Sequence, residues 1–171
     1  MNQENNMNTG TKFWDELYEK SGNRQQSPHT PDLHNKVLKL IPQDVTSILD
    51  AGCGGGAFMS FLSENGKYKV EGVDQSPEGV SFINEKLNMK AQVGDLVDLC
   101  QFPDNSFDMI VCSEVTEHMP ITVLINAVNE LARVSKKYLI FTNPFLEKLT
   151  FQQLTCNHCL TRYHPAGHIH S

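Results

Sequence analysis

The chain reads as a doubly wound α/β domain built on a mostly parallel sheet. Three observations predict this. Short apolar strand candidates alternate with helical segments along the middle of the chain. A glycine-rich turn, Gly52-Cys53-Gly54-Gly55-Gly56, joins the first strand to its following helix. Acids close the second and third strands, at the carboxyl ends where ligands of such sheets bind.

The first ten of the 171 residues are polar and Asn-rich, which predicts disorder over 1–10. Phe13, Trp14, Leu17 and Tyr18 recur at helical spacing, and Ser21-Gly22-Asn23 closes that helix. Leu33, Val37, Leu38 and Ile41 predict a second helix ended by Pro42, so 11–45 reads as an N-terminal helical lid. Strands are predicted over Ser47–Asp50, Lys69–Asp74, Lys90–Val93, Phe107–Ser113 and Lys137–Thr142. Helices are predicted over Gly56–Glu64, Pro77–Leu87 and Val123–Ser135, with an irregular crossover near Leu96 to Pro103. The core is 46–144, followed by a Cys/His-rich tail over 145–171.

Composition narrows the function classes. Hydrophobic residues make up 39% of the chain, enough for one core, and net charge is −6. No strongly basic stretch argues for nucleic acid as a partner. No transmembrane-length run or signal peptide is present, so no membrane is expected. Five cysteines, three in apolar or glycine-rich segments, argue for a reducing cytoplasm over a disulfide framework.

The glycine turn is a nucleotide-type loop, because backbone without Cβ admits a ligand closely and unpaired helix N–H groups lie behind it. Gly52, Gly54 and Ala57 also fit a dinucleotide fingerprint. The loop alone discriminates weakly, and its surroundings say more. Asp50 ends the first strand. Asp74 ends the second, placed to accept hydrogen bonds from two ribose hydroxyls. Asp95, after Gly94, can accept from an exocyclic amine of adenine.

Asp50-x-Gly52-x-Gly54-x-Gly56, Val73-Asp74-Gln75-Ser76-Pro77, Gly94-Asp95 and Phe107-Asp108 together resemble the class I S-adenosylmethionine-dependent methyltransferases. The resemblance is to the small soluble subgroup and runs from about Phe13 to Pro144. It implies a Rossmann-like methyltransferase fold with S-adenosylmethionine as cofactor. The glycine loop then passes under the methionine part, Asp74 and the adjoining Gln75 meet the ribose, and Asp95 with the Leu96 backbone meets adenine. Backbone near Ser113 faces the sulfonium. The chain ends before the C-terminal strands that the family fold carries, so those strands read as truncated and the fifth strand as an exposed edge. A homodimer through that edge is expected.

Methyl transfer from a sulfonium needs in-line positioning and exclusion of water, plus a base when the acceptor is a hydroxyl. Glu114, Glu117 and His118 follow the fourth strand, and on a helix these positions share one face. His118 is the first choice of base, since imidazole titrates near neutral pH. The alternative is that Glu114 and His118 cap and orient the loop beside the cofactor. Glu-x-x-Glu-His also resembles a segment that binds a divalent cation in two methyltransferase groups. Trp14 and Tyr18 are candidates for an aromatic lid or for plain helix packing.

The tail carries Cys156, Cys159, His164 and His168, a spacing that suits tetrahedral zinc. The alternative is a reduced, metal-free pair with histidines for solubility or substrate contact. The expected function is a cytoplasmic methyltransferase acting on a small-molecule methyl acceptor, at oxygen. The alternative is a catalytically silent cofactor-binding or zinc-stabilised interaction protein.

Overall fold

The structure, a computed structural model, describes residues 15–16, 30–144, 153–155 and 162–163. Its strands are β1 (Ser47–Ala51), β2 (Lys69–Asp74), β3 (Lys90–Val93), β4 (Phe107–Ser113) and β5 (Ser135–Thr142). Its helices are α1 (Thr30–Leu40), α2 (Ala57–Glu64), α3 (Pro77–Lys86) and α4 (Ile121–Val134). The five strands pair in parallel in the order β3-β2-β1-β4-β5. β6 (Leu154–Thr155) and β7 (Arg162–Tyr163) form a separate antiparallel ladder.

Both faces of the sheet are covered, which is why its central strands read as nearly continuous apolar runs. Ile48, Met109 and Val111 turn to one face and pack with Val37 of α1 and with Phe58 and Leu62 of α2. Leu49, Ala51, Ile110 and Cys112 turn to the other and pack with Ala127, Leu131 and Val134 of α4. α3 adds Val80 and Ile83 against Cys53, Met59 and Ala91. Each fully buried Leu or Ile contributes about 1.5–3 kcal/mol relative to exposure. The sheet interior is therefore the main source of stability.

Strands β2, β3 and β4 match their predicted bounds. α4 starts two residues early, after Pro120, whose fixed φ suits a helix entry. β5 starts at Ser135 rather than Lys137, because α4 runs directly into it. The Ser135 hydroxyl donates to Tyr138 O at 2.9 Å across that junction.

The β3–β4 crossover is irregular, as expected, and side chains do the work a helix would do. Leu96, Leu99 and Phe102 fill the sheet face. Arg133 of α4 donates to the Leu99 and Phe102 carbonyls, each at 3.0 Å. Glu130 accepts from Leu99 N at 3.0 Å. Buried backbone groups without a helical ladder are thus paired.

Asp108, one of the motif residues, sits at the opposite end of the sheet from the carboxyl-end loops. Its Oδ2 accepts from Thr46 N, Thr46 Oγ1 and Ser47 N at 3.0, 2.7 and 3.2 Å. Those bonds hold its carboxyl well below the usual range. It ties the start of β1 to β4. The strand order reverses between β1 and β4, and this opens a crevice at their carboxyl ends. Among the described residues no helix is long and apolar enough to cross a membrane.

Candidate functional site

The loop after β1 is folded onto β2. Gly52 and Cys53 N–H both donate to Val73 O, at 2.8 and 3.1 Å, and Gly56 N–H donates to Cys53 O at 2.9 Å. Gly52 and Gly56 have φ of 82° and 80°, left-handed values that disfavour a side chain. A Cβ on Gly52 would lie 2.4 Å from Val115 Cγ2, and one on Gly56 would lie 2.8 Å from Ile83 Cγ1. Gly52 thus lets the loop after β1 touch the segment after β4. Gly52→Ala is expected to cost about 2–5 kcal/mol, from left-handed strain plus overpacking. Adding Val115→Ala should restore the overpacking part and leave the strain. Thermal melts of the single and double variants check this; no recovery in the double variant would contradict the contact.

Asp50 and Asp74 lie under this loop, 3% and 7% exposed. Asp74 Oδ2 accepts from Gly54 N at 2.8 Å and its Oδ1 from Ser76 N at 2.8 Å. Burial pushes the Asp74 carboxyl up, and those backbone bonds pull against it. Asp50 is pushed up to about 7 by burial, and then by the charge of Asp74. The Gln75 backbone N–H also favours the ionised Asp74 carboxylate, which as a four-site acceptor keeps capacity for a further donor. Gln75 follows it at an exposed position.

Asp95, after β3, is exposed and accepts from Val97 N at 3.1 Å, which turns the chain. Leu96 is buried in the core on the α4 face. Gly94 allows Gln101 to approach, since a Cβ there would lie 2.4 Å from Gln101 Nε2. The turn thus places an accessible carboxylate beside a buried apolar residue at the end of the sheet.

The β4 exit departs from expectation. Glu114, Glu117 and His118 do not share a helical face. Glu114 has φ 56°, and only Thr116–His118 forms a single 3-10 turn. The helix begins at Ile121, after Pro120. Ser113 Oγ lies 2.7 Å from Thr142 Oγ1, and the Thr142 hydroxyl donates to Glu114 Oε1 at 3.0 Å. Glu114 N–H donates to Thr142 O at 2.9 Å. Glu114 therefore ties β4 to β5. Glu117 is fully buried, and its Oε1 lies 3.9 Å from Nε2 of the half-buried His118. The structure brings Glu117 and His118 together and leaves Glu114 apart. Among the described residues no three His, Cys, Asp or Glu side chains gather to hold a metal, so Glu114, Glu117 and His118 do not form such a cluster.

Cys156, Cys159, His164 and His168 lie outside the described residues, as do Trp14, Tyr18 and 1–10. Sequence reasoning missed two contacts. Val115 against Gly52 left no signal. Ser76 had one, since Ser-Pro before a helix reads as a cap. Its hydroxyl accepts from Gly79 N at 3.1 Å and donates to Asp15 Oδ1.

The family model described as a methyltransferase domain matches residues 49–141, more than half of the chain. A ubiquinone biosynthesis O-methyltransferase of Coxiella burnetii is 34% identical over 92 residues, covering 48% of this chain and 38% of that protein. A 2-methyl-6-phytyl-1,4-hydroquinone methyltransferase of Synechocystis is 35% identical over 95 residues, covering 53% of this chain and 29% of that protein. The crystal structure of a SAM-dependent methyltransferase from Aquifex aeolicus superposes with a TM-score of 0.55 at 28% identity, covering 67% of this chain and 66% of that one. The matched part spans about a third of the length of these curated relatives.

Proposed function

The chain belongs to the methyltransferase-domain family of class I S-adenosylmethionine-dependent enzymes, and we propose that it transfers a methyl group to a hydroxyl on a small molecule. The observation that carries the cofactor part is the Asp74 carboxylate. It is buried at the end of β2, bonded to Gly54 N–H, beside a loop in which Cβ atoms at Gly52 and Gly56 would collide with the protein. An acid with spare lone pairs next to glycine backbone fits a ribose diol with a chain running past it. The choice of oxygen rests on the Coxiella relative, which is an O-methyltransferase by name. By name, the Synechocystis relative methylates a hydroquinone and the Coxiella relative serves ubiquinone biosynthesis, which favours a hydroxylated ring as acceptor.

In this reading Asp50, Gly52, Gly54 and Gly56 hold the methionine end, and Asp74 with Gln75 the ribose. Asp95 and the Leu96 backbone meet the adenine, and Ser113 lies beside the sulfur. The bound cofactor supplies a methyl already activated on a sulfonium. The chain must then align the acceptor oxygen in line with that methyl and remove its proton. His118 takes the proton as the oxygen gains the methyl, and the neighbouring Glu117 carboxylate favours the resulting imidazolium. Glu114 holds the β4–β5 exit in place. A homodimer through β5 belongs to the same proposal, because β5 pairs only with β4 among the described residues. A monomer mass by sedimentation would remove it.

The test is methyl transfer from S-adenosylmethionine to a panel of single-ring phenols, hydroquinones and amines. Transfer to phenolic oxygen is expected, and His118→Ala should lower kcat about a hundredfold or more with S-adenosylhomocysteine affinity unchanged. Transfer confined to amines would overturn the choice of oxygen. Cofactor binding with no turnover on the panel would favour the silent-binder alternative.

A further inference from the structure

We propose that Asp15 is a positioning residue for the cofactor ribose, acting through Ser76 on Asp74. The proposal rests on the cofactor reading above. Ser76 is completely buried, and all of its polar groups are used. Its N–H donates to Asp74 Oδ1 at 2.8 Å. Its hydroxyl oxygen accepts from Gly79 N at 3.1 Å and so caps α3. The remaining hydroxyl proton goes to Asp15 Oδ1. A buried hydroxyl needs an acceptor from the protein, because water does not reach it. That acceptor comes from a residue 61 positions earlier in the chain.

The consequence is a continuous run of hydrogen bonds from Asp15 through Ser76 and Asp74 to Gly54 of the glycine loop. With the hydroxyl rotor fixed at both ends, the cap has one arrangement, and its N–H stays aimed at Asp74. Removing the acceptor leaves a buried donor unsatisfied, and the cap reorients to find a partner. Asp74, the ribose contact, then loses its Ser76 backbone anchor. The Asp15 charge acts in the opposite sense, since it disfavours ionisation of Asp74. The hydrogen bond and the charge are therefore separable by substitution.

Asp15→Ala removes both, whereas Asp15→Asn keeps an acceptor oxygen and removes the charge. Calorimetric titration of the full chain with S-adenosylhomocysteine should give a dissociation constant about tenfold higher for Asp15→Ala. Asp15→Asn should stay within about threefold of wild type. Ser76→Ala and the double variant Asp15→Ala/Ser76→Ala should bind alike, because Asp15 has no hydroxyl left to hold. Rescue by Asn together with non-additivity is a pattern that general loosening of the fold would not give. Wild-type affinity in Asp15→Ala, or equal losses in the Ala and Asn variants, would overturn the assignment and leave the cofactor reading intact. Failure of the wild type itself to bind would overturn both, and the wild-type titration reveals that case by itself.

Discussion

On the proposed ribose role, Asp74→Ala is expected to raise the dissociation constant for S-adenosylhomocysteine by about a hundredfold or more. The proposed contact of two ribose hydroxyls with one carboxylate would make charge-assisted bonds, each worth about 1.5–3 kcal/mol, and 1.4 kcal/mol is about a factor of ten in affinity. The loss has a second source within the protein. Gly54 and Ser76 N–H both donate to this carboxylate, so its removal frees the glycine loop and the α3 cap together. Asp74→Asn separates the two. Asn keeps one acceptor oxygen and turns an NH2 toward the other N–H donor, so it should bind poorly while its melting temperature stays closer to wild type. Calorimetric titration and thermal melts, run side by side, check this. Unchanged affinity in Asp74→Ala would remove the ribose role.

Asp50→Asn is expected to change how stability depends on pH. An unfolded aspartate loses its proton near 3.8, whereas folded Asp50 holds its proton to about 7. Between those values folding takes up a proton, so this group's contribution to stability falls as pH rises and levels off above about 7. A raised carboxyl therefore costs stability at high pH, by up to roughly 4 kcal/mol from a shift of this size. Asp74, also raised, has the same sign. His34, lowered by burial, has the opposite sign and loses stability as pH falls. The difference between wild type and Asp50→Asn isolates Asp50. Denaturant unfolding from pH 5 to pH 8 should show Asn gaining on wild type as pH rises. A constant difference across that range would contradict the buried carboxyl.

The sheet was legible because burial on both faces leaves strands as apolar runs. Thus β2, β3 and β4 could be bounded to the residue. The junction of α4 with β5 was not, because Ser135 and Lys136 carry no stop signal and the helix passes into the strand without a loop. At the candidate site, the glycine turn after β1 and the placing of Asp74 and Asp95 at strand ends could be read from the sequence. The Glu114 to His118 segment could not. Its spacing fits a helix face, but the left-handed Glu114 and the Pro120 entry are properties of the tertiary turn. The same spacing could not show that Glu117 is buried and Glu114 exposed. The Asp15–Ser76 bond left no trace in local sequence, since its partners are far apart along the chain.

The most direct test of the account is a parallel calorimetric titration of the wild-type chain with S-adenosylhomocysteine and with NADH. Both ligands carry adenosine, so the comparison asks what the loop at Gly52 to Gly56 accepts beyond it. The predicted result is one site for S-adenosylhomocysteine, with no heat for NADH. Saturable binding of NADH with none of S-adenosylhomocysteine would contradict it.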